Sequence, residues 1–494
     1  MVAAKHFTGL ELTGLDLTGL DLTGLDLTGL ASDSRKVQPG YLFAALSGSK
    51  TDGARFLSDA VARGAKTVLG RPELATDAAA LGVAFIADDN PRLRLARLAA
   101  AFYGAQPDTV AAVTGTKGKS SIVAFLREIW TLLGKPAASL GTVGVVGPKG
   151  EMPLSHTTPD PVEIHHLLAE LKRDGVEHLA IEASSHGLDQ YRLDGVLVSA
   201  AAFTNITRDH MDYHATFQDY LKAKLRLFTE VVADGGVAVV NSDAEHAGDF
   251  IVAAKHRGLT LLTVGETGES LKLVSRESRG DAQTLVIVHG GQPYTVTLPL
   301  AGAFQASNAL VAAGLAIGLG EDAAKVIPIL SRLKGAPGRL EKVAFSVSGA
   351  PIYVDYAHTP DSLEKILKAL RPHTKGKLRV MFGCGGDRDK GKRPLMGQIA
   401  TALADDVIVT DDNPRSENPG AIRREILAAA PTAREIGDRA EAIRAGIAAL
   451  QVGDVLVLAG KGHETGQYVG DAVRPFSDRE EAVKAALALG GRAA

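Results

Sequence analysis

The stretch that decides the fold is residues 110–121, VAAVTGTKGKSS, an apolar run followed by a Gly-rich turn. Residues 110–113 predict a buried strand, and the apolar spacing over 119–133 predicts a helix directly after the turn. Such a turn presents backbone N–H groups and the positive end of the helix dipole to an anion. We therefore expect it to bind nucleotide phosphates through Gly115, Thr116, Lys117, Gly118, Lys119, Ser120 and Ser121.

Two side chains of this turn have separate expected roles. Lys119 would reach the outer phosphates, and the hydroxyl of Ser120 would bind Mg²⁺. The strict phosphate-binding motif begins with Gly, and Val113 occupies that place here. The alternative is an ordinary turn with an accidental Gly-Lys-Ser, but the position between a strand and a helix favours the phosphate loop.

Strands and helices alternate through most of the chain, which favours an α/β fold with largely parallel sheets. At roughly 150 residues per domain, 494 residues correspond to about three domains. We predict a small N-terminal α/β module over 1–105, a central parallel-sheet domain of the P-loop ATPase type over 106–334, and a C-terminal Rossmann-like domain over 335–494. For the last domain we predict strands at 352–355, 378–382, 406–410 and 455–459, separated by helices at 361–370, 394–404, 420–430 and 438–450.

Composition and charge exclude several classes of protein. The formal net charge is −3, whereas a general nucleic-acid binder would be basic. A single cysteine, Cys384, can form no internal disulfide, which favours a reducing compartment. The N-terminus lacks the apolar centre of a signal peptide, and no apolar run approaches the roughly 18 residues that span a bilayer. We expect a cytoplasmic monomer that binds no nucleic acid and inserts into no membrane.

A repeat with a period of five occupies residues 8–30, TGLELTGLDLTGLDLTGLDLTGL. A period of five matches neither a helix nor a strand. One interpretation is a coil of a pentapeptide solenoid, although so few units would bury little surface on their own. The interpretation that we favour is a duplicated low-complexity stretch that ends in one true strand near Gly29-Leu30.

Polar residues follow the predicted strands of the central domain. Glu182 ends the apolar run 179–181, where a carboxylate beside a phosphate loop suits a Mg²⁺ ligand or a group that orients water. His210 and His214 come after the next strand, but their spacing fits no common zinc motif. Lys224 lies in YLKAKLRLF, which by spacing alone predicts an amphipathic helix with this lysine in solvent.

The C-terminal domain has polar residues where its predicted strands end, among them Asp355, Asp387, Asp411 and Lys461. The loop 387–393, DRDKGKR, is dense in both charges, and we favour an anion-binding loop over one that is solvated and self-paired. Cys384 lies in the Gly-rich stretch GCGG. We interpret it as a small buried residue and not as a nucleophile.

Taken in order, these motifs resemble those of the Mur ligase family, the ATP-dependent amide-bond synthetases that assemble bacterial cell-wall precursors. The resemblance covers the chain from Ser32 to its end. Lys117 stands where Asn is common in the family, and the repeat 8–30 lies outside the family pattern. The matching segments are 114–121, 182–186, 204–210, Asn308, 337–341, 355–360, 383–394, 412–415 and 460–464.

Within the family, the run Asp-Asn-Pro-Arg at 412–415 resembles the branch that adds meso-diaminopimelate to a UDP-N-acetylmuramoyl dipeptide. Diaminopimelate differs from lysine by one carboxylate, for which Arg415 offers a bidentate partner. Lysine-adding relatives carry a different residue there. The resemblance assigns the amino acid to Arg388, Asp412, Asn413, Pro414, Arg415, Gly460 and Glu464, with Glu464 at the distal ammonium group.

The resemblance also implies roles that spacing alone does not. Lys224 matches a lysine that the family carries as a carbamate, N6-carboxylysine, which helps to place a second Mg²⁺. The implied catalytic residues are Lys119, Glu182, His210 and Lys224, and the implied metal ligands are Ser120, Glu182, His210 and the carbamate of Lys224. Asn308, Arg339 and Asp355 would hold the nucleotide, and Ser34, Ser49, Lys50, Thr51, Thr157, Thr158, Ser184, Gln190 and Arg192 would bind the UDP-sugar dipeptide.

The implied reaction uses ATP as a co-substrate, with two Mg²⁺ ions, to phosphorylate the D-Glu carboxylate before the amine attacks. A lysine-adding ligase, a ligase for D-Ala-D-Ala and a folylpolyglutamate synthase are alternatives, against which Arg415 argues. A regulatory nucleotide-binding protein with a decayed site is a further alternative. The intact Lys119, Glu182, His210 and Lys224 argue against it.

Overall fold

The computed structural model describes residues 5–6, 26–48 and 51–494. Most of the repeat, residues 7–25, lies outside the described residues, as do Ser49 and Lys50 of the expected UDP-sugar site. The chain divides into two compact units. One comprises Met1–Lys119, Trp130–Val240 and Ala244–Leu262, and the other comprises Ser120–Ile129, Asn241–Asp243 and Thr263–Ala494.

The helices and strands of the described residues are numbered here in chain order. The helices are α1 Leu57–Ala62, α2 Ala75–Ala80, α3 Pro91–Tyr103, α4 Lys119–Leu132, α5 Pro161–Arg173, α6 Ser185–Asp189, α7 Phe217–Arg226, α8 Ala247–His256, α9 Ala303–Gly318, α10 Ala323–Ile329, α11 Pro360–Leu370, α12 Lys392–Leu403, α13 Pro419–Leu427, α14 Arg439–Ala448 and α15 Asp478–Ala488. The strands are β1 Lys5–His6, β2 Asp26–Leu27, β3 Gly29–Ala31, β4 Tyr41–Ala44, β5 Thr67–Gly70, β6 Ala84–Ala87, β7 Thr109–Thr114, β8 Ala137–Gly141, β9 Gly144–Gly147, β10 Gly150–Met152, β11 His178–Glu182, β12 Val198–Phe203, β13 Val232–Asn241, β14 Thr260–Gly265, β15 Leu271–Arg279, β16 Ala282–His289, β17 Gln292–Leu298, β18 Glu341–Phe345, β19 Pro351–Asp355, β20 Leu378–Phe382, β21 Asp406–Val409, β22 Arg434–Glu435, β23 Val455–Ala459, β24 Gly466–Val469, β25 Ala472–Pro475 and β26 Arg492–Ala493. None of the described helices is both long enough and apolar enough to cross a membrane.

The first unit begins with a small parallel sheet in the order β3-β4-β5-β6. The last copy of the repeat contributes to it, because Leu27 and Leu30 are buried in its core. A Cβ on Gly29 would lie 2.4 Å from Cζ of the Tyr41 ring, so no larger residue fits there. The predicted strand near Gly29-Leu30 is confirmed.

The first unit also contains the strand that precedes the phosphate turn. β7 pairs in parallel with β11 on one side and with β12 on the other, and β8 and β13 extend this arrangement in parallel. Because parallel strands end at the same edge, the residues that follow β7, β11 and β12 are brought together. The predicted strand 110–113 and helix 119–133 correspond to β7 and α4, with ends that differ by one residue.

His165 on α5 is buried in the first unit, with its Nε2 3.4 Å from the backbone oxygen of Asp194. Burial lowers the pKa of His165 from 6.5 to about 4. The ring is therefore neutral in the folded protein at pH values where an unfolded chain would begin to take up a proton.

Acid should therefore weaken the fold in part through His165. The unfolded chain binds the proton more tightly, so the free energy of unfolding falls as the pH drops from 6.5 toward 4. In a His165→Leu variant this dependence is absent. The stability advantage of the wild type over the variant should shrink by about 1 to 3 kcal/mol between about pH 7.5 and about pH 4.5, measured by urea unfolding. An advantage that stays constant over this range would contradict the argument.

The second unit contains the antiparallel meander β15-β16-β17 and a seven-stranded sheet in the order β22-β21-β20-β23-β19-β18-β26. From β22 to β19 the strands of this sheet are parallel, whereas β18 and β26 pair antiparallel at its edge. Val380 of β20 packs with α11, α12 and α13, whereas Met381 packs with α14 and α15 on the other face. A parallel sheet covered by helices on both faces confirms the predicted Rossmann-like architecture.

The four strands predicted for this sheet correspond to β19, β20, β21 and β23, and the bounds of β20 and β23 match residue for residue. Asp355 is the last residue of β19, and Gly460 directly follows β23. Loops that follow parallel strands lie at one edge of the sheet, which is where ligands of such folds bind.

A buried ion pair supports the same edge of the sheet. The guanidinium of Arg439, at the start of α14, donates to Asp478 at the start of α15 at 2.7 and 2.6 Å, and both side chains are 0% exposed. Arg439 also donates to the backbone oxygens of Asp411 and Ala459, at 3.1 and 3.0 Å. These two oxygens lie at the ends of β21 and β23, so the pair holds the starts of two site loops.

Candidate active site

The Gly-rich turn after β7 is held in a tight, fixed conformation. Gly115 and Gly118 have φ values of +145° and +90°, which favour glycine. A Cβ on Gly115 would lie 2.0 Å from the hydroxyl of Thr204, which follows β12. That hydroxyl donates to the Lys117 backbone oxygen at 2.6 Å, and the Lys117 N–H donates to Asn205 at 3.1 Å. The residues after β12 therefore shape the turn.

Two lysines converge on one carbonyl of this turn. The Nζ atoms of Lys119 and Lys224 donate to the Gly115 oxygen at 2.9 and 2.8 Å, and Lys119 also donates to the Thr116 oxygen at 3.1 Å. Lys224 is 1% exposed. The expectation from spacing that Lys224 points into solvent is wrong, because α7 buries it between the turn and the first unit's core.

The sequence did contain a signal for this burial. In α7, Tyr220 and Leu221 are buried, and Leu227 and Phe228 just after the helix are buried too. Lys224 lies three or four residues from each of them, so it occupies the centre of the apolar stripe. A lysine in that place is a candidate for a functional role, whereas Lys222 on the same helix is exposed.

Burial lowers the pKa of Lys224 well below its usual value, and the nearby charge of Lys119 lowers it further. The amine is 4.6 Å from the centre of the Tyr220 ring. A neutral amine is a nucleophile, whereas an ammonium group is not. Lys224 therefore has the chemistry needed to react with an electrophile such as carbon dioxide.

Glu182 is the last residue of β11 and is buried, at the strand tip where the sequence predicts it. Its two oxygens accept from the N–H and the hydroxyl of Thr142, at 2.8 and 3.2 Å. A Cβ on Gly141 would lie 2.2 Å from Glu182 Oε1, so the close approach requires glycine there. No lysine or arginine pairs with Glu182 among the residues described, and such a buried carboxylate suits a metal cation.

Three histidines gather beside α7. The ring of His186 lies 5.1 Å from that of His210 and 5.7 Å from that of His214, measured between ring centres. Burial lowers the pKa of all three, that of His186 to about 4. In the part of the chain that the structure describes, no three His, Cys, Asp or Glu residues are arranged to hold a metal ion.

The donors expected to bind Mg²⁺ nevertheless suit it chemically. Ser120 and Glu182 carry oxygen atoms, the kind of donor that Mg²⁺ prefers, and burial lowers the pKa of His210, which favours its unprotonated imidazole. His210 has a φ of +56°, in the left-handed region that residues other than glycine seldom adopt. This conformation changes the direction of its side chain from that of the preceding residues.

Five residues expected at the UDP-sugar dipeptide lie in one hydrogen-bond network. Thr158 receives the N–H of Ser184 at 3.1 Å and donates to the Glu182 backbone oxygen at 2.9 Å. Arg192 donates to Gln190 Oε1 at 2.8 Å and to the Thr158 oxygen at 2.5 Å. The hydroxyl oxygens of Thr157 and Thr142 are hydrogen-bonded at 3.0 Å. This network joins the dipeptide residues to the strand that carries Glu182.

The structure does not bring all the expected UDP-sugar residues into that network. Ser34 is buried in a short 3₁₀ helix after β3, and Thr51 is exposed. Among the residues that the structure describes, no hydrogen bond joins Ser34 or Thr51 to this network.

The three residues expected at the nucleotide in the second unit are linked through their neighbours. Asn308 donates to Gln305 at 3.2 Å, and Gln305 donates to the backbone oxygen of Arg339 at 3.2 Å. Asp355 accepts from the N–H groups of Leu340 and Ala357, both at 2.7 Å. The buried Nε of Arg339 has no partner among the described residues, and its guanidinium lies 4.8 Å from the Tyr356 ring centre. It is thus free to receive an anion.

The loops after β21 and β23 contact each other. The Asn413 amide donates to Glu464 Oε2 at 2.9 Å, and the Gly460 N–H donates to the Asp355 oxygen at 3.1 Å. Arg415 has φ +50°, and its guanidinium donates to the Gly386 oxygen at 2.9 Å. The backbone of Arg415 pairs with Tyr468 and Gly470 of the hairpin β24-β25, at 3.0 and 2.7 Å.

The charged loop 387–393 divides into two parts. Arg393 is fully buried and pairs with Glu417 at 2.8 Å, so this cation serves the fold and is unavailable to a ligand. Arg388 is exposed and donates to the Asp387 oxygen at 3.2 Å. Cys384 is buried, as predicted, and burial raises the pKa of its thiol to about 12, which argues against a nucleophile.

The chain matches three family models along its length. These are the Mur ligase family catalytic domain over residues 26–103, the Mur ligase middle domain over 113–316, and the Mur ligase glutamate ligase domain over 338–462.

Whole-chain relatives agree with these matches. The UDP-N-acetylmuramoyl-L-alanyl-D-glutamate–2,6-diaminopimelate ligase of Bradyrhizobium diazoefficiens is 59% identical over 463 residues, which cover 93% of this chain and 94% of the relative. The ligase of the same name from Mesorhizobium japonicum is 54% identical over 458 residues, which cover 93% and 94%.

Solved structures show the same architecture. A structure of UDP-N-acetylmuramoyl-L-alanyl-D-glutamate–2,6-diaminopimelate ligase superposes with a TM-score of 0.70 at 34% identity, covering 94% of this chain and 96% of that one. MurF ligase from Thermotoga maritima in complex with ADP superposes with a TM-score of 0.57 at 18% identity, covering 93% and 96%, which shows a shared fold. The sequence matches and the structural superpositions agree, and they show that the chain belongs to the Mur ligase family.

Proposed function

We propose that this protein adds meso-diaminopimelate to UDP-N-acetylmuramoyl-L-alanyl-D-glutamate, using ATP, and so forms the UDP-linked tripeptide precursor of peptidoglycan. It is an ATP-dependent ligase that forms a carbon–nitrogen bond. The observation that carries the proposal is the loop pair 412–415 and 460–464, in which Asn413 donates to the Glu464 carboxylate and the guanidinium of Arg415 is held by the Gly386 oxygen. Relatives that bear the name of this ligase are 59% and 54% identical to the chain.

The amino acid has a zwitterionic centre at its far end, and the two loops offer one group to each charge. Arg415 would bind the carboxylate that lysine lacks, with two parallel N–H···O bonds. Glu464 would bind the distal ammonium group. Arg388, Asp412, Asn413, Pro414 and Gly460 complete the proposed site, and the exposed Arg388 supplies a second cation.

Activation of the D-Glu carboxylate is needed because a carboxylate is a poor electrophile. An oxygen of this carboxylate takes the γ-phosphoryl group from ATP, so that ADP leaves and an acyl phosphate forms. The amine of meso-diaminopimelate attacks the acyl carbon and loses a proton, and inorganic phosphate leaves. Lys119 would stabilise the negative charge on the transferred group, and Asn308, Arg339 and Asp355 would hold the rest of the nucleotide.

Ser120, Glu182 and His210 are the proposed ligands of Mg²⁺, with Lys224 after it has become a carbamate. Bound Mg²⁺ offsets the negative charge of the phosphates and of the carboxylate. The lowered pKa of the buried Lys224 amine supports carbamate formation, because it favours the form whose lone pair attacks carbon dioxide, and the nitrogen then releases a proton. A carbamate anion on Lys224 would also attract the ammonium group of Lys119, since the Nζ atoms of both lysines lie at the Gly115 oxygen.

The UDP-sugar dipeptide is the third substrate. Thr157, Thr158, Ser184, Gln190 and Arg192 support a site for its peptide end, because their network includes the backbone of Glu182. Ser34, Ser49, Lys50 and Thr51 would bind the UDP-sugar. We further propose domains over 1–105, 106–334 and 335–494, one for each substrate, in a monomer that works in the cytoplasm, where ATP is supplied, without membrane insertion.

The amine substrate is the test of this proposal. Phosphate release is measured with ATP and the UDP-sugar dipeptide in three parallel assays, with meso-diaminopimelate, L-lysine or D-Ala-D-Ala. We expect kcat/KM for meso-diaminopimelate to exceed that for L-lysine by about a hundredfold or more, since the half-buried guanidinium of Arg415 would lose its carboxylate partner with lysine. A preference for either other amine would overturn the proposal.

A further inference from the structure

Lys461 is the second residue after β23 and is 0% exposed. Lys461 has no role in the proposed amino-acid site, although Gly460 and Glu464 of the same loop belong to it. A buried lysine is costly unless its ammonium group is fully paired. Its partners therefore indicate what it does.

The ammonium group of Lys461 has three acceptors. It donates to Asn413 Oδ1 at 3.1 Å, to Glu464 Oε2 at 3.0 Å and to the Gly466 backbone oxygen at 2.6 Å. These acceptors belong to three different segments: the loop after β21, the loop after β23, and the first residue of β24. All three ammonium protons are used, so Lys461 ties the three segments together.

The same contacts orient Asn413 and Glu464. Asn413 Nδ2 donates to Glu464 Oε2, and Asn413 Oδ1 also receives the Tyr468 N–H at 3.1 Å. With an ammonium group and an N–H on the oxygen side, the amide can take one orientation, because its NH₂ must face the carboxylate. Glu464 Oε2 therefore accepts from Lys461 and Asn413, while Oε1 accepts no hydrogen bond from the described residues.

The charges explain why a lysine suits this position. Without Lys461, the Glu464 carboxylate would be a negative charge with no cation paired to it among the described residues. With Lys461, the Lys461–Glu464 ion pair has no net charge, and Glu464 Oε2 is held in one orientation. A site without net charge should bind a ligand end that is zwitterionic, and so also without net charge, better than a ligand end with a single positive charge.

We propose that Lys461 is a positioning residue for the amino-acid substrate: it fixes the Glu464 carboxylate and the Asn413 amide, and thereby sets affinity for the distal zwitterionic end. This inference rests on the proposed function, because it assumes that Glu464 meets the distal ammonium group. Lys461 touches no substrate in this scheme and acts through Glu464.

The test compares Lys461→Met with the wild type in steady-state kinetics. We expect KM for meso-diaminopimelate to rise about tenfold to a hundredfold, the effect of losing one hydrogen bond to a charged group, with KM for ATP unchanged. Lys484→Met is the matched control, since Lys484 lies on α15 of the same unit with its side chain 75% exposed, and it should change neither constant. Lys461→Gln, which keeps an uncharged NH₂ donor group, should fall between the wild type and Lys461→Met.

A double-mutant cycle with Glu464→Gln separates positioning from general support of the fold. If Lys461 acts through Glu464, adding Lys461→Met to Glu464→Gln should raise KM by about twofold or less, because coupled residues are not additive. Multiplied losses, or equal losses in the KM values for ATP and the amino acid, would overturn the inference. Failure of the proposed function is distinct, since the wild type would then show no preference for meso-diaminopimelate.

Discussion

We expect Lys224→Ala to lower kcat by about a thousandfold or more, with a smaller change in the KM for ATP. The reason is the position of this amine, which is buried and 2.8 Å from the Gly115 oxygen of the phosphate turn. Removing it would remove the proposed carbamate, which is the group proposed to help hold Mg²⁺ there. Phosphate release with saturating substrates measures the effect, and thermal unfolding of the variant checks that the fold is intact.

Two further measurements make the Lys224 prediction specific. Lys222→Ala is the matched control, because Lys222 lies on the same helix but is exposed, and it should keep full activity. A short carboxylate added to Lys224→Ala should restore part of the activity, because it can enter the cavity and supply the missing negative group. Lys224→Arg, which cannot form a carbamate, should stay inactive. Full activity in Lys224→Ala would contradict the assignment.

The second large effect concerns stability. Asp478→Asn should lower the free energy of unfolding by about 3 to 5 kcal/mol, the usual cost of leaving one charge of a buried pair without its partner. Burial works against the charge of Arg439, yet Asp478 raises the pKa of this guanidinium above its usual value. With asparagine at 478, the charge of Arg439 stays buried and loses its counter-ion. Urea unfolding measures the loss.

Neighbouring positions supply the controls for the Asp478 prediction. Arg479→Met removes an ion pair to Glu341 whose arginine is 61% exposed, so it should cost less than about 1 kcal/mol. The double variant Arg439→Met with Asp478→Leu should recover much of the stability, since no charge is left buried. It should still bind the amino acid more weakly, because Arg439 also holds the Asp411 and Ala459 oxygens. Equal stability losses in Asp478→Asn and Arg479→Met would contradict the argument.

The sequence allowed good prediction wherever the signal was local. β20 and β23 are short apolar runs bounded by polar residues, and their predicted bounds match the structure residue for residue. The tip of β11, with Glu182, was predictable for the same reason, because a strand end and its polar residue are adjacent in the chain. The Gly-rich turn was predictable because a phosphate loop needs its strand and helix on either side.

Other features depend on segments that are far apart in sequence. Lys224 and Gly115 are separated by 109 positions, and Lys461 and Asn413 by 48, so no local pattern shows that they touch. The Arg439–Asp478 pair spans 39 positions. Spacing alone also predicted the wrong burial for Lys224. A lysine is expected in solvent because of its charge, and its position in the apolar stripe shows only when the whole helix is considered.

The repeat at the start of the chain bears on how the gene can change. Leu27, Gly29 and Leu30 of its last copy are packed in the small N-terminal sheet. The copies at 16–20 and 21–25 have the same sequence, DLTGL, as residues 26–30. Replication slippage that removes or adds one whole unit of DNA therefore returns the same five residues to the position before Ala31. The coding sequence can change in length at this end while the packing of the first sheet receives identical side chains.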